Sequence, residues 1–214
     1  TTVRPLKLAR KHANKGVIYN TFPNINIDSI LSGKLRKELN IPTDKIIVAS
    51  VGRVDVRKGH QYIIEAIKKM KDPDYMFVII GSGEYLQHYR EQCTEEMDQR
   101  RLFLLGNRTD VYELLKDSDI FLFPTLNENH SMALLEAINM RCAAIVTEVG
   151  GNTETITNGE TGIVIKPGSA EEIIHALLLL KDKNTREEYT RAAYLYAQEK
   201  FSMTNTLGKL EKLF

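Results

Sequence analysis

Short, uninterrupted apolar runs recur along the chain at residues 46–51, 76–80, 102–105, 120–123, 143–146 and 163–165. Strands that lack polar alternation are covered on both faces, as in a parallel sheet. Helical periodicity fills the gaps, most clearly over 59–70, where Ile63, Ala66, Ile67 and Met70 follow the i, i+3, i+4, i+7 stripe. This alternation predicts an α/β fold with a doubly wound parallel sheet. A short strand over 17–20, the loop TFPN and a helix within 28–39 are expected before it, and helices over 170–180, 185–199 and 203–213 after it. No internal repeat or low-complexity stretch interrupts the pattern.

In such a sheet ligands bind outside the carboxyl ends of the strands, so the two sets of loops can be compared. Loops that follow strands read GRVDVRKG (52–59), GSG (81–83), GNR (106–108), PTLNENHS (124–131) and TEVGGN (147–152). Those leading back into strands read KDPD (71–74), KDSD (116–119) and NGET (158–161), which is ordinary turn chemistry. Glycines and cations therefore gather on the ligand edge. Asp117 and Asp119 spell an Asp-x-Asp, a pattern used elsewhere for metal binding, but they precede a strand and fit capping and turn roles.

The most informative stretch is PTLNENHSMALLEA, from Pro124 to Ala137. Ser131 can cap a helix running through Met132, Leu134, Leu135 and Ile138, which leaves the first-turn amides of Met132 and Ala133 free to meet an anion. Glu128 lies just before that helix start and Glu136 inside the helix. Amides bind phosphate, and a carboxylate accepts hydrogen bonds from paired sugar hydroxyls. A glycosidase would place its two carboxylates across a scissile bond, generally from separate elements, so the shared loop and helix argue against hydrolysis.

Composition narrows the class. The 214 residues are 43% hydrophobic and 27% charged, with 29 basic and 28 acidic residues, so the charge excess of a nucleic-acid binder is absent. Cys93 and Cys142 lack paired spacing, which argues for a reducing compartment and against a zinc site. His12, His60, His88, His130 and His175 show no metal-ligand spacing. No apolar run approaches the roughly 20 residues needed to span a bilayer. A cytoplasmic protein is expected. Residues 1–16 carry Arg4, Lys7, Arg10, Lys11 and Lys15 with no acid, a stretch able to touch an anionic inner membrane face peripherally. GSGE is only Gly-x-Gly and does not complete a dinucleotide fingerprint.

The run VGRVDVRKG, the Glu128/Glu136 pair and GGNTETITNGETG (150–162) together resemble the retaining glycosyltransferases of family 4 (glycosyl transferases group 1), in their C-terminal, donor-binding half. VIYNTFPN resembles the linker entering that half, and FSMTNTLGKLEKLF its closing helix. The resemblance implies a GT-B fold with an N-terminal acceptor-binding half that has no counterpart here. It divides the chain into an N-terminal helical extension (1–16), a linker strand and helix (17–44), a Rossmann-like nucleotide-sugar-binding domain (45–182) and C-terminal helices (183–214).

By position, Arg53 and Lys58 match the basic pair that neutralises the donor diphosphate, beside Gly52, and Arg57 could replace either. Glu136 matches the carboxylate on the ribose diol, and Glu128 the one near the transferred sugar. Arg53, Lys58 and Glu128 are thus the implied catalytic groups. Gly81, Gly83, Asn107 and Arg108 fall where the family lines the cleft and holds the base. Many relatives have Gly-Phe-Gly after the first glutamate, where this chain has Asn129, His130 and Ser131. His130 could donate to a hydroxyl or phosphate, or simply pack the loop. A usual glycine and proline are replaced by Arg141 and Ala143, so that turn must be made differently.

The activity so implied is hexosyl transfer from a nucleoside diphosphate sugar to an acceptor hydroxyl of a glycan, lipid or polysaccharide precursor, with retention and no metal or other cofactor. Two alternatives stand beside it: a donor-binding module without turnover, because the acceptor half is missing, and a nucleoside diphosphate sugar epimerase of the same fold.

Overall fold

The computed structural model describes residues 17–211. The expected helical extension at 1–16, its membrane contact and the last residues of the closing helix lie outside the described residues.

The six apolar runs form six strands: β1 (Ile46–Val51), β2 (Tyr75–Ile80), β3 (Leu102–Gly106), β4 (Ile120–Phe123), β5 (Ala143–Thr147) and β6 (Ile163–Ile165). They pair in parallel in the order β3-β2-β1-β4-β5-β6. The helices are α1 (Lys34–Glu38), α2 (His60–Lys69), α3 (Leu86–Gln92), α4 (Thr94–Asp98), α5 (Val111–Lys116), α6 (Met132–Asn139), α7 (Asn152–Thr155), α8 (Ala170–Leu179), α9 (Lys183–Lys200) and α10 (Met203–Glu211).

Apart from Ser50 in β1 and Thr147 in β5, the internal strands are apolar, because both faces are covered. Ile46, Val48, Phe77, Ile79 and Leu122 pack with Ile63 and Ile67 of α2, Leu86 of α3 and Leu177 of α8. On the other face, Phe121 and Phe123 meet Leu134 and Leu135 of α6 and Ala193 and Ala197 of α9. Ile47, Val78 and Ile80 meet Leu35 of α1 and Leu114 of α5. Helices on both faces of a parallel sheet make the fold doubly wound.

Two expectations about the entering segment are corrected. Residues 17–20 form no strand, since no strand of the sheet pairs with them. Tyr19 packs on the His130 and Phe201 rings and Asn20 bonds to His130, and just beyond them the Phe22 amide donates to the Phe201 carbonyl at 2.7 Å. The expected helix within 28–39 is split into a 3-10 turn at Ile27–Ser29 and the short α1, because Gly33 takes the left-handed conformation (φ 83°) directly before α1.

The Asp-x-Asp lies at the amino edge of the sheet, and both carboxylates are engaged there. Asp117 accepts from the amides of Gly33 and Leu35 at the start of α1. Asp119 accepts from the Ile47 amide at 2.8 Å and pairs with Arg36 at 3.1 Å.

Candidate donor-binding site

Strand order reverses between β1 and β4, and the crevice beyond their carboxyl ends is where doubly wound sheets hold ligands. The loops at 52–59 and 124–131, both singled out by sequence, meet there. They are stitched by the Leu126 amide and the Thr125 hydroxyl, which donate to the Arg57 carbonyl at 2.7 and 2.9 Å. Gly59 makes the approach possible, since a Cβ there would lie 1.9 Å from the Pro124 carbonyl oxygen. The glycine brings two loops together before any ligand is considered.

Asp55 organises the cations of the first loop. It is buried, receives the Lys58 amide at 3.2 Å, and pairs with Arg53 at 2.7 Å and Arg57 at 3.0 Å. Both arginine side chains remain mostly exposed, at 60% and 64%. They are held by one carboxylate at the base of a shallow hollow of about 400 Å³, lined also by Val56 and Glu84. A larger groove of about 890 Å³, lined by Lys45, Lys68 and Arg101 among others, sits beside the amino-edge loop 71–74, away from the paired glutamates.

Lys58 crosses the crevice. Its Nζ lies 2.6 Å from Glu128 Oε2 and 5.1 Å from the centre of the Phe123 ring. With side chains only 25% and 17% exposed, this pair joins two residues that sequence assigned to separate roles. Glu128 Oε1 also accepts from the Asn129 amide at 3.2 Å.

Ser131 caps α6 as expected, its hydroxyl accepting from the Leu134 amide at 3.3 Å. The amides of Met132 and Ala133 lie in the turn that has no preceding carbonyls within the helix. One turn on, Glu136 is half-buried and receives the Tyr112 hydroxyl at 3.2 Å. Burial raises its pKa above the ordinary value, and the Tyr112 bond works in the opposite direction. A desolvated carboxylate with lone pairs to spare suits a diol that brings its own donors.

The loop carrying Glu128 is gripped from behind by the turn after β5. A Cβ on Gly150 would stand 1.6 Å from the Glu128 carbonyl, and one on Gly151 would stand 1.8 Å from that of Asn129. Gly81 and Gly83 approach the first loop in the same way, packing against Gly52 and Val54.

Other sequence candidates take different places. Asn107 is exposed after β3. Arg108 is committed to Glu38 and Asp110, with bonds of 2.5 to 2.8 Å, so its side chain ties α1 to the loop before α5. His130 accepts from the Asn20 amide at Nδ1, and its Nε2 is enclosed without a hydrogen-bond partner. Neither ring nitrogen is open to a ligand in this conformation. Asp55, Tyr112 and Asn20 were missed by sequence reasoning. Asp55 and Asn20 lay inside recognised stretches, GRVDVRKG and VIYNTFPN, without being singled out, while Tyr112 reaches the site from a remote segment and carries no local signal. Among the described residues, no group of three or more His, Cys, Asp or Glu has the arrangement of a metal site, and no helix is long and apolar enough to cross a membrane.

The family model for glycosyl transferases group 1 matches residues 32–196. An alpha-1,3-galactosyltransferase of Escherichia coli that acts from UDP-Gal on GlcNAc-diphosphoundecaprenol is 28% identical, covering 87% of this chain and 50% of that protein. An alpha-1,3-N-acetylgalactosaminyltransferase of Campylobacter jejuni is 29% identical over 80% of this chain and 45% of its own length. Thus the chain spans about half the length of the curated relatives it matches. Among solved structures, HepE of Anabaena in complex with UDP superposes with a TM-score of 0.80 at 20% identity, over 92% of this chain and 56% of that one. The C-terminal domain of a Francisella tularensis group 1 glycosyltransferase superposes with a TM-score of 0.69 at 23% identity, over 84% of this chain and 99% of that domain. The chain therefore belongs to the glycosyl transferases group 1 family and has the fold of the C-terminal domain of its GT-B enzymes.

Proposed function

We propose that the chain is the donor half of a retaining glycosyltransferase that moves a hexosyl group from a nucleoside diphosphate sugar to an acceptor hydroxyl, without a metal. The observation that carries this reading is the crevice between β1 and β4, where Lys58 bridges to Glu128 beside the Ser131-capped start of α6, with Glu136 one turn further on. In the reaction, the bond between the sugar C1 and the diphosphate oxygen breaks as a new bond forms from C1 to the acceptor oxygen. The acceptor proton ends on the released diphosphate. Negative charge grows on that leaving group, so fixed cations at Arg53 and Lys58 and the amides of Met132 and Ala133 stabilise the transition state more than the ground state. Glu136 holds the ribose, and Glu128 orients Lys58 and the sugar hydroxyls.

Because the chain spans about half of its relatives, the opposing wall of the cleft is assigned to a further domain. By itself the 214-residue chain is expected to bind nucleotide and to transfer slowly. Calorimetry with uridine diphosphate, suggested by the ligand of the Anabaena neighbour, tests the donor site. Glu136→Ala should weaken binding by about 1.5 to 3 kcal/mol, the worth of hydrogen bonds to a charged group. Arg53→Ala with Lys58→Ala should weaken uridine diphosphate far more than uridine. Equal losses for both ligands would remove the phosphate role.

A further inference from the structure

Asn20 and His130 are joined twice, although 110 residues separate them. The Asn20 backbone amide donates to His130 Nδ1 at 3.2 Å, and Asn20 Nδ2 donates to the His130 carbonyl at 2.6 Å. The imidazole is packed against the rings of Tyr19 and Phe201, with centroids 5.1 and 4.7 Å away. Phe201 is itself bonded to the same entering segment through the Phe22 amide. On its other side, the loop rests against Gly150 and Gly151, whose missing side chains admit the Glu128 and Asn129 carbonyls. The four residues from Glu128 to Ser131 are therefore held between the turn after β5 and the segment that enters the domain.

We propose that His130 is a positioning residue: its neutral ring ties the entering segment to the donor loop, and so sets Glu128 and the first turn of α6 in place for the nucleoside diphosphate. This inference rests on the reading of the site given above. A ring that accepts at Nδ1 must carry its proton on Nε2. Protonation would turn Nδ1 into a donor facing the Asn20 N–H, and the ring's part of the tie would open, leaving only the bond to the His130 carbonyl. Four charged or titratable groups face the ring: Glu128 from its own loop, Tyr19 from the entering segment, Glu154 from α7 and Lys200 from the end of α9. Glu154 accepts from the Tyr19 hydroxyl, and its backbone carbonyl accepts from Lys200. Burial pulls the His130 pKa below its ordinary 6.5 and Lys200 acts in the same sense, while Glu154 and Glu128 oppose them. The neutral, tied form therefore prevails at neutral pH and is lost on the acid side of that value.

The test uses the full chain with two independent readouts. Uridine diphosphate is titrated by calorimetry from about pH 5 to 8 into wild type, His130→Phe, Asn20→Ala and the double variant, the lower limit lying below the ordinary histidine pKa. Phenylalanine keeps the contacts to Tyr19 and Phe201 while removing the Nδ1 acceptor and the unpartnered Nε2–H. At pH above 7 its affinity should fall about 3- to 10-fold, the worth of one hydrogen bond. That difference should vanish as the wild-type ring protonates, because phenylalanine does not titrate. The double variant should lose more affinity than either single variant, because Asn20→Ala removes the bond to the His130 carbonyl that His130→Phe leaves in place. Amide hydrogen exchange of 126–134, measured without ligand, should be several-fold faster in His130→Phe at neutral pH. A wild-type to variant affinity ratio that stays constant with pH, or unchanged exchange, overturns the proposal. If wild type binds no nucleoside diphosphate at any pH but exchange rises as expected, the tie is supported and the nucleotide reading of the site fails.

Discussion

Arg141 illustrates what a single substitution in a family pattern entails. It closes α6 with a left-handed backbone (φ 67°), where the Cys142 and Arg141 amides return to the carbonyls of Ala137 and Ile138 at 3.0 and 3.1 Å. That is the bonding of a Schellman cap, which favours glycine because a Cβ costs about 1 to 2 kcal/mol in this conformation. Arginine supplies a compensation glycine cannot: its guanidinium lies 3.3 Å from the centre of the Tyr194 ring. Such a contact is worth about 0.5 to 2 kcal/mol, depending on desolvation. Arg141→Gly therefore trades one term for the other and should leave stability within about 0.5 kcal/mol of wild type. Arg141→Ala keeps the strained backbone and loses the stack, and should be less stable than the glycine variant by about 1 kcal/mol. Urea unfolding measures both, and equal stability of the two variants would mean that the backbone strain is not there to relieve.

At the scale of elements, the two edges of the sheet divide the labour. Amino-edge loops terminate and cap, while carboxyl-edge loops face the crevice. Asp117 shows the division most clearly, since both its oxygens are spent on the amides of Gly33 and Leu35. Asp117→Ala should cost about 1 to 2 kcal/mol of stability, as for a lost N-terminal cap, and change uridine diphosphate affinity less than 2-fold. A loss of affinity at unaltered stability would put Asp117 at the wrong edge. This division was readable in the sequence because periodicity and turn composition are local. All six strands and the capped start of α6 followed from it. The ties made by Asn20, Tyr112 and Asp55 did not, because they depend on which loops the fold brings together. For the same reason the carboxyl-edge glycines were legible as a cluster but their contacts were not: Gly59, Gly81, Gly83, Gly150 and Gly151 meet carbonyls of neighbouring loops.

Across the whole molecule, those packed loops link the site to stability through His60, the residue after Gly59. Its side chain is 1% exposed, Nδ1 lacks a hydrogen-bond partner among the described residues, and burial pushes its pKa down to about 4. Asp55 opposes this shift and Lys58 adds to it. In the unfolded chain the imidazole titrates near 6.5. Between about 6.5 and about 4 the unfolded state therefore binds a proton that the folded state refuses. The contribution of neutral His60 is fully present above the unfolded pKa and is lost as pH falls through that window, on the order of 3 kcal/mol in all. Carboxylates with lowered folded pKa, such as Glu38 and Asp110, add their own losses only as pH falls below the ordinary carboxylate range. Glu136, raised by burial, works the other way and is relieved by protonation. His130 has the same sign as His60, so the comparison belongs in a His130→Phe background. There, unfolding free energy should fall steeply from pH 7 to 4.5, and His60→Gln should flatten the slope. If the slope survives the substitution, burial of His60 is not what makes the folded donor loops acid-sensitive.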